Sequence, residues 1–172
     1  MTNTASGGGR ILGTLRAEDG KGAVRMEDRF DTDIDDLWSA LTEPPRLARW
    51  IGNVEGDLRL GGEIHAVFFR SGSDWVGRIA ECEPPRHFLV ETNDADEEDL
   101  HTIEATLASE GDQTLLVVEE RGMPLDKLAA YGAGIQLHVE DLGAHIAGRE
   151  LGDDSRWEEL EPVYDEIAAK IA

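Results

Sequence analysis

The chain has 172 residues, of which 40% are hydrophobic, and a formal net charge of -21 from 16 Lys+Arg against 37 Asp+Glu. This length and apolar fraction fit one globular domain with a sizeable core, whereas the charge would repel phosphate backbones and argues against a nucleic-acid partner. Since no apolar stretch reaches the length of a membrane span and the Gly-rich start lacks the features of a signal peptide, we expect a cytoplasmic protein without membrane association.

The amino-terminal part predicts a tail followed by a hairpin. Residues 1–9 are small and polar, so we expect a disordered tail. Two extended runs follow, at 10–16 and 23–30, and Asp19-Gly20 between them is typical of a tight turn. In the second run Val24, Met26 and Phe30 are expected to share the buried face.

Two short helices are predicted next. Thr32 or Asp33 can cap the first helix, whose apolar stripe contains Leu37 and Trp38. Pro44-Pro45 ends that helix and can start the second one, in which Trp50 faces inward.

The stretch from residue 54 to residue 121 predicts a meander of antiparallel strands. Gly, Pro, Ser and Asp turns separate short extended runs at 54–60, 63–70, 75–82, 87–93, 100–109 and 114–121. The acidic segment 93–99 holds five acids in seven residues, so we interpret it as a solvated loop in preference to a cation site.

The last long apolar-periodic run, 124–150, predicts one helix. Its stripe alternates spacings of three and four and contains Leu125, Leu128, Gly132, Ile135, Val139, Leu142 and Ile146. A curved antiparallel sheet is the simplest partner for this stripe. Gly132 and Gly134 each cost roughly 1 kcal/mol of helix stability relative to Ala, which indicates either close packing against the sheet or room for a ligand. We expect residues 10–150 to form the domain and residues 151–172 to add a capping helix.

Four strings in this order resemble a known family: "LWSALTEPPRLARWIG" at 37–52, "LRLGGE" at 58–63, "GRIAECEPPRHFLV" at 77–90 and "GIQLHVEDLGAHIAG" at 134–148. They are similar to the SRPBCC or START-like family and, within it, to the homologues of the Hsp90 ATPase activator. The resemblance implies an α+β helix-grip fold, in which a curved antiparallel sheet wraps a long carboxy-terminal helix and two short helices follow the first long strand. At Ile135 related sequences commonly have Trp, so the smaller side chain here would enlarge the space beneath the helix.

The resemblance implies a fold more firmly than a reaction, because one fold hosts several functions. Members include carriers or sensors of apolar small molecules, polyketide aromatases and cyclases, and the Hsp90-stimulating domain of a co-chaperone, which would give a role in the stress response. They share no catalytic motif that could be transferred to this chain.

Side chains that could carry chemistry form no recognisable catalytic site. His65, His101, His138 and His145 could act as acids, bases or ligands, but His138 and His145 lie seven residues apart, whereas zinc helices favour three or four. Cys82 is the only cysteine, which excludes an intrachain disulfide, and we interpret it as a small core residue. Glu119 and Glu120 point to opposite strand faces and form no dyad. We therefore expect neither a metal nor a cofactor.

Aromatic residues favour a binding interior. We expect Ile64, Ala66 and Phe68 to face inward, with His65 and Phe69 facing outward. Arg78 is either an outward strand charge or an inward anchor for an acidic or carbonyl-bearing ligand. The candidate ligand-binding residues are Trp38, Trp50, Phe68, Trp75, Arg78, Phe88, Ile103, Tyr131, Ile135, His138 and Leu142. For each aromatic residue, plain core packing is the alternative.

The preferred hypothesis is therefore non-covalent binding of a small apolar or aromatic molecule in an internal cavity, as a carrier or sensor. A second hypothesis is an interaction module for a chaperone, whose acidic surface would attract a basic partner. A third is a cyclase-type enzyme, in which His138, Tyr131 and Arg78 orient a polyketide and move protons. An edge strand or the terminal helix also offers a surface for a homodimer.

Overall fold

The computed structural model describes residues 10–93 and 101–171. Its strands are β1 (Gly13–Glu18), β2 (Lys21–Phe30), β3 (Gly52–Gly56), β4 (Glu63–Phe68), β5 (Asp74–Glu83), β6 (His87–Asn93), β7 (His101–Glu110) and β8 (Gln113–Met123). Its helices are α1 (Ile34–Thr42), α2 (Pro44–Leu47), α3 (Leu128–Ala147) and α4 (Ser155–Ala169). The predicted tail 1–9 and nearly all of the predicted acidic loop lie outside the described residues.

Within the described residues the strands form one curved antiparallel sheet in the order β1-β2-β8-β7-β6-β5-β4-β3. The β1–β2 hairpin turns at Asp19 and Gly20, whose φ values of 51° and 81° match a tight turn that follows the twist of the strands. The register shifts between Ile79 and Glu81, and such an irregularity bends a strand. The predicted α+β helix-grip fold, with two short helices after the first long strand, is confirmed.

Local hydrogen bonds fix α1 and α2, which lie across one end of the sheet. The side chain of Asp33 accepts a hydrogen bond from the Asp36 N–H at 2.8 Å and so caps α1. The hydroxyl of Thr32 donates to the Asp36 carboxylate at 2.7 Å and lowers the pKa of that group. Trp50 donates from Nε1 to the Ala40 carbonyl at 3.0 Å, which fixes the residues after α2 against α1.

Alternation along β4 follows the predicted register. Ile64 and Ala66 are buried and Phe68 is half-buried, whereas His65 and Phe69 are exposed. A one-residue slip would exchange the two faces, so this register determines which aromatic ring reaches the interior.

The long helix starts later than its sequence pattern suggests. Leu125 begins a 3-10 turn, and α3 proper starts at Leu128. Leu125 was expected in the buried stripe, but it lies before the first α-helical turn and is 45% exposed. At the other end Gly148 has a φ of 72°, a conformation that ends helices and favours glycine.

One side of α3, which we call the packed side, lies against β1 and α4. The Gln136 amide is fully buried, and its Oε1 accepts from the Leu12 N–H at 3.0 Å and from the Tyr164 hydroxyl at 2.5 Å. Its Nε2 donates to the Arg10 carbonyl at 2.7 Å. Burial raises the pKa of Tyr164 to about 12, so the hydroxyl keeps its proton and remains a donor.

Close backbone packing explains Gly132, one of the three glycines on α3. A Cβ at Gly132 would lie 2.7 Å from Cδ1 of Tyr164 and 3.1 Å from Cδ2 of Leu15, so a larger residue would force these side chains to move. The sequence indicated close packing against the sheet or room for a ligand. At Gly132 the structure shows close packing, against Leu15 of β1 and Tyr164 of α4.

A buried ion pair joins α3 to the end of β4. Arg70 donates to both Asp141 oxygens, at 2.6 and 2.9 Å, and Asp141 is almost fully buried. Arg70 also donates to the Gly152 carbonyl at 2.6 Å, and its pKa is raised chiefly by the hydrogen bond to Asp141. The connection between α3 and α4 is therefore held beside the β4–β5 turn.

Candidate functional site

A cavity of about 560 Å³ lies between α3 and strands β4–β8. The side of α3 that faces it, which we call the cavity side, contributes Tyr131, Gly134, Ile135, His138 and Leu142. The volume falls within the roughly 300–1,000 Å³ that small-molecule sites occupy. The sheet and the helix therefore leave a space of ligand size between them.

Most of the predicted ligand-binding residues line this cavity. They share an inward position on α3, on the adjoining strands or after α2, and they are Trp50, Phe68, Trp75, Phe88, Ile103, Tyr131, Ile135, His138 and Leu142. Their convergence follows from the register of the strands and from the helical spacing of 131, 135, 138 and 142. Whether they contact a ligand stays a prediction.

Two predicted residues, Trp38 and Arg78, are not part of the cavity wall. The ring of Trp38 packs edge-on against Phe88, with 5.7 Å between the centroids, and so stands behind a wall residue. Arg78 is exposed on the outer face of β5, where Glu63 and Glu91 are its cross-strand neighbours. The outward interpretation of Arg78 is therefore the one observed, and the trio of the cyclase hypothesis does not share the cavity.

An aromatic cluster forms the wall near the β4–β5 turn. Phe68 packs edge-to-face with Trp75 at 5.6 Å between ring centroids and with the His138 ring at 5.2 Å. Such contacts hold aromatic rings in fixed orientations. The cavity therefore presents π-faces and ring edges of defined geometry to whatever occupies it.

Polar groups stand in the wall between β7, β8 and α3. Nε2 of His101 lies 2.8 Å from Oε1 of Glu120, and the His101 ring is 5.2 Å from the Tyr131 ring. Burial lowers the pKa of His138, although nearby Glu120 opposes the shift, so the imidazole is neutral at neutral pH. A neutral imidazole offers one donor and one acceptor.

The predicted set of ligand-binding residues left out several residues of the cavity wall. They include aliphatic side chains on the adjoining strands and helices, and the polar pair itself: Leu41, Leu47, Ile79, Val90, Leu116, His101 and Glu120. A signal existed for Glu120, because two consecutive glutamates on one strand must place one carboxylate on the inner face. The aliphatic residues could not be identified in this way, because aliphatic side chains at the same inward positions also form an ordinary close-packed core.

Gly134 on α3 and the single cysteine, Cys82, also line the cavity. A Cβ at Gly134 would meet only Cζ3 of Trp157, at 3.6 Å, which is ordinary contact. Cys82 is partly buried in the wall, and burial raises the pKa of its thiol, which disfavours the nucleophilic thiolate.

Among the described residues, no group of three or more His, Cys, Asp or Glu side chains is arranged to hold a metal ion. No helix in residues 10–93 and 101–171 is long and apolar enough to cross a membrane.

Comparison with known proteins gives one family and several structural neighbours. The sequence model of the family described as activator of Hsp90 ATPase homolog 1-like protein matches residues 31–147. The crystal structure of CalU16 from Micromonospora echinospora is 26% identical, with a TM-score of 0.75 over 92% of this chain and 97% of CalU16. No curated protein matches the chain.

Two further solved structures share the fold at lower identity. DynU16, from the dynemicin biosynthetic locus, is 23% identical, with a TM-score of 0.69 over 80% of this chain and 51% of DynU16. PFC0360w, an Hsp90 activator from Plasmodium falciparum, is 22% identical, with a TM-score of 0.52 over 60% of this chain and 74% of that protein. The family match spans most of the chain and agrees with the observed helix-grip fold, so this protein belongs to the activator of Hsp90 ATPase homolog 1-like family.

Proposed function

We propose that this protein binds a small apolar or aromatic molecule in the cavity beneath α3, as a carrier or sensor without covalent chemistry. The observation that carries the proposal is the cavity of about 560 Å³ with largely apolar walls and a few polar side chains. Ligand sites have this composition, because apolar walls supply affinity and a few polar groups fix orientation.

The cavity wall also argues for ligand binding over simple core packing. Buried apolar residues form two clusters. The main cluster surrounds α3, and the smaller one consists of Ile64, Ile79 and Val90 on β4, β5 and β6. Residues of both clusters line the cavity. Interiors of proteins are normally close-packed, so a space of this size between two apolar clusters favours an occupant.

The test is a titration with N-phenyl-1-naphthylamine, an uncharged aromatic dye, followed by fluorescence and by native mass spectrometry. We expect one dye per chain. Ile135→Trp fills the cavity from α3 and should weaken binding by at least about tenfold. Val76→Trp, which adds the same bulk to an exposed position on β5, is the matched control and should bind as the natural protein does.

Two outcomes would contradict the proposal. One is the absence of binding by the natural protein to the dye and to a library of hydrophobic compounds. The other is unchanged affinity in a folded Ile135→Trp variant, which would place the bound dye outside the cavity.

The second candidate function is binding to a chaperone ATPase through the surface. Its support is the family match, together with the net charge of -21, which would attract a basic partner. An ATPase assay with Hsp90 separates the two functions: stimulation that persists in Ile135→Trp would favour the surface interaction, and the absence of stimulation would remove its support.

A further inference from the structure

Two polar groups of the cavity wall, on Glu120 and His138, have hydrogen-bonding capacity that the described residues do not use. Glu120 engages His101 through Oε1, while Oε2 accepts no hydrogen bond from the described residues. His138 likewise makes no hydrogen bond within the described part of the chain, and its one ring contact is with Phe68. A buried polar group without a partner is costly, so a bound molecule or water must complete these two.

The missing partner of Glu120 must be a donor. A carboxylate can only accept hydrogen bonds, and the neutral His138 ring can accept one and donate one. A ligand O–H could donate to the Glu120 oxygen and accept from the His138 ring, whereas a ligand N–H could donate to the Glu120 oxygen. A ligand with acceptors alone would leave the Glu120 oxygen unpaired.

The charges of the cavity wall do not suit an anion. Among the residues that the structure describes, no arginine lines the cavity, and the lysine that does, Lys127, is exposed before the start of α3. Asp74 adds a second carboxylate at an exposed position. A ligand carboxylate or sulfonate placed inside would face Glu120, whose side chain is only 15% exposed, and little water would screen the repulsion.

We propose that the cavity selects uncharged or positively charged aromatic molecules that carry an N–H or O–H donor, and rejects carboxylates and sulfonates of the same shape. This inference rests on the proposed ligand-binding function and specifies its chemistry. The donor end of the ligand lies at Glu120 and His138, and its apolar part lies against Phe68 and Trp75.

A matched pair of dyes tests the selectivity. N-phenyl-1-naphthylamine and 8-anilinonaphthalene-1-sulfonate share one aromatic skeleton and one N–H, and they differ by the sulfonate. We expect the natural protein to bind the uncharged dye at least about tenfold more tightly, because a buried like-charge pair is strongly unfavourable. Equal binding, or tighter binding of the sulfonate, would overturn the inference.

Two neighbouring glutamates provide the variant and its control. Glu120→Gln removes the charge inside the cavity, whereas Glu119→Gln removes the same charge from the outer face, where Glu119 pairs with Arg121 and Arg25. We expect Glu120→Gln to reduce the ratio of the two dyes' dissociation constants at least about fivefold. Glu119→Gln should leave this ratio unchanged. An equal effect of both variants would assign the preference to net charge and contradict the inference.

A salt series on the natural protein keeps the test independent of any folding defect in Glu120→Gln. Raising NaCl from 0.05 to 0.5 M screens the field of the whole protein but screens a buried charge much less. The preference should therefore persist, and its disappearance would contradict the inference. If both dyes bind equally, only the selectivity fails; if neither the dyes nor the library of hydrophobic compounds bind, the proposed function fails with it.

Discussion

The two sides of α3 differ in how completely they are filled. On the packed side, Gln136 uses both ends of its amide, and Gly132 lets Tyr164 approach the helix backbone. On the cavity side, His138 has no hydrogen-bond partner among the described residues, and a methyl group at Gly134 would meet one ring atom at ordinary distance. One helix thus combines a fully satisfied interface with an incomplete one, which indicates that the packed side supplies stability and the cavity side is available for function.

The largest effect is expected on the packed side. Gln136→Leu removes the acceptor of the Leu12 N–H and of the Tyr164 O–H, and the Tyr164 hydroxyl then keeps only the hydrogen bond that it accepts from the Gly13 N–H. We therefore expect a loss of about 3 kcal/mol in the free energy of unfolding. For a protein of this size, Tm should fall by roughly 6–12 °C. Thermal unfolding followed by circular dichroism measures the change.

Gln113→Leu is the control for that variant, because Gln113 donates a single exposed hydrogen bond to Asp31. We expect this change to cost no more than about 0.5 kcal/mol. Similar losses of unfolding free energy in both variants would mean that the hydrogen bonds of the packed side stabilise the protein no more than a hydrogen bond at the surface.

Alanine substitutions at Gly132 and Gly134 of α3 should change the free energy of unfolding in opposite directions. Gly132→Ala places a methyl group 2.7 Å from Tyr164, so overpacking outweighs the gain in helix propensity, and we expect a net loss of about 1–2 kcal/mol. Gly134→Ala meets only Trp157, at 3.6 Å, and should gain up to about 1 kcal/mol. Chemical denaturation measures both changes, and a loss in Gly134→Ala would show that the cavity side is as tightly packed as the other.

Acid should destabilise the protein through His138 and His145 before it does so through its carboxylates. Burial lowers the pKa of His138, and burial together with Arg46 and Arg49 lowers that of His145. As the pH falls through about 6.5, the unfolded chain binds protons that the folded chain does not, so the free energy of unfolding decreases. Carboxylates such as Asp36, whose pKa is lowered, contribute only at more acidic pH, below about 4.

Melting curves between pH 7.5 and 5 test this pH dependence. His138→Phe preserves a ring against Phe68 and should flatten the decline, whereas the same change at the exposed His65 should not. A decline of the same slope in His138→Phe would contradict a neutral, buried imidazole on the cavity side.

The smallest effect is expected at Arg78. Because Arg78 is exposed on the outer face of β5, Arg78→Ala should change dye affinity less than about twofold and the free energy of unfolding by no more than about 0.5 kcal/mol. Fluorescence titration checks the affinity. A large loss of affinity would mean that the site extends beyond the cavity beneath α3.

Local sequence patterns predicted the fold and much of the cavity wall, because alternation and helical spacing determine which way a side chain faces. Ile64, Ala66 and Phe68 follow their predicted register, and Tyr131, Ile135 and His138 line the cavity as expected. Patterns do not predict depth or empty volume, which depend on the curvature of the sheet and on the summed size of distant side chains. This is why Trp38, which stands behind Phe88, could not be told from a wall residue.

Composition and single positions also carried information that periodicity did not. Glu119 and Glu120 were expected to point to opposite strand faces, but only the pairing of β7 with β8 brings His101 close to Glu120. In the same way, Gly132 and Gly134 indicated close packing or free space without showing which of the two applied to each glycine.

Cys82 gives the wall of the cavity a unique attachment point for chemical labels. It is the only cysteine in the chain and is partly buried in that wall. Because its pKa is raised, labelling should be slow at neutral pH and faster in mild alkali. A thiol reagent would therefore label the natural protein at one known position. Slower labelling of Cys82 in the presence of a ligand would show that the cavity is occupied, without an engineered cysteine.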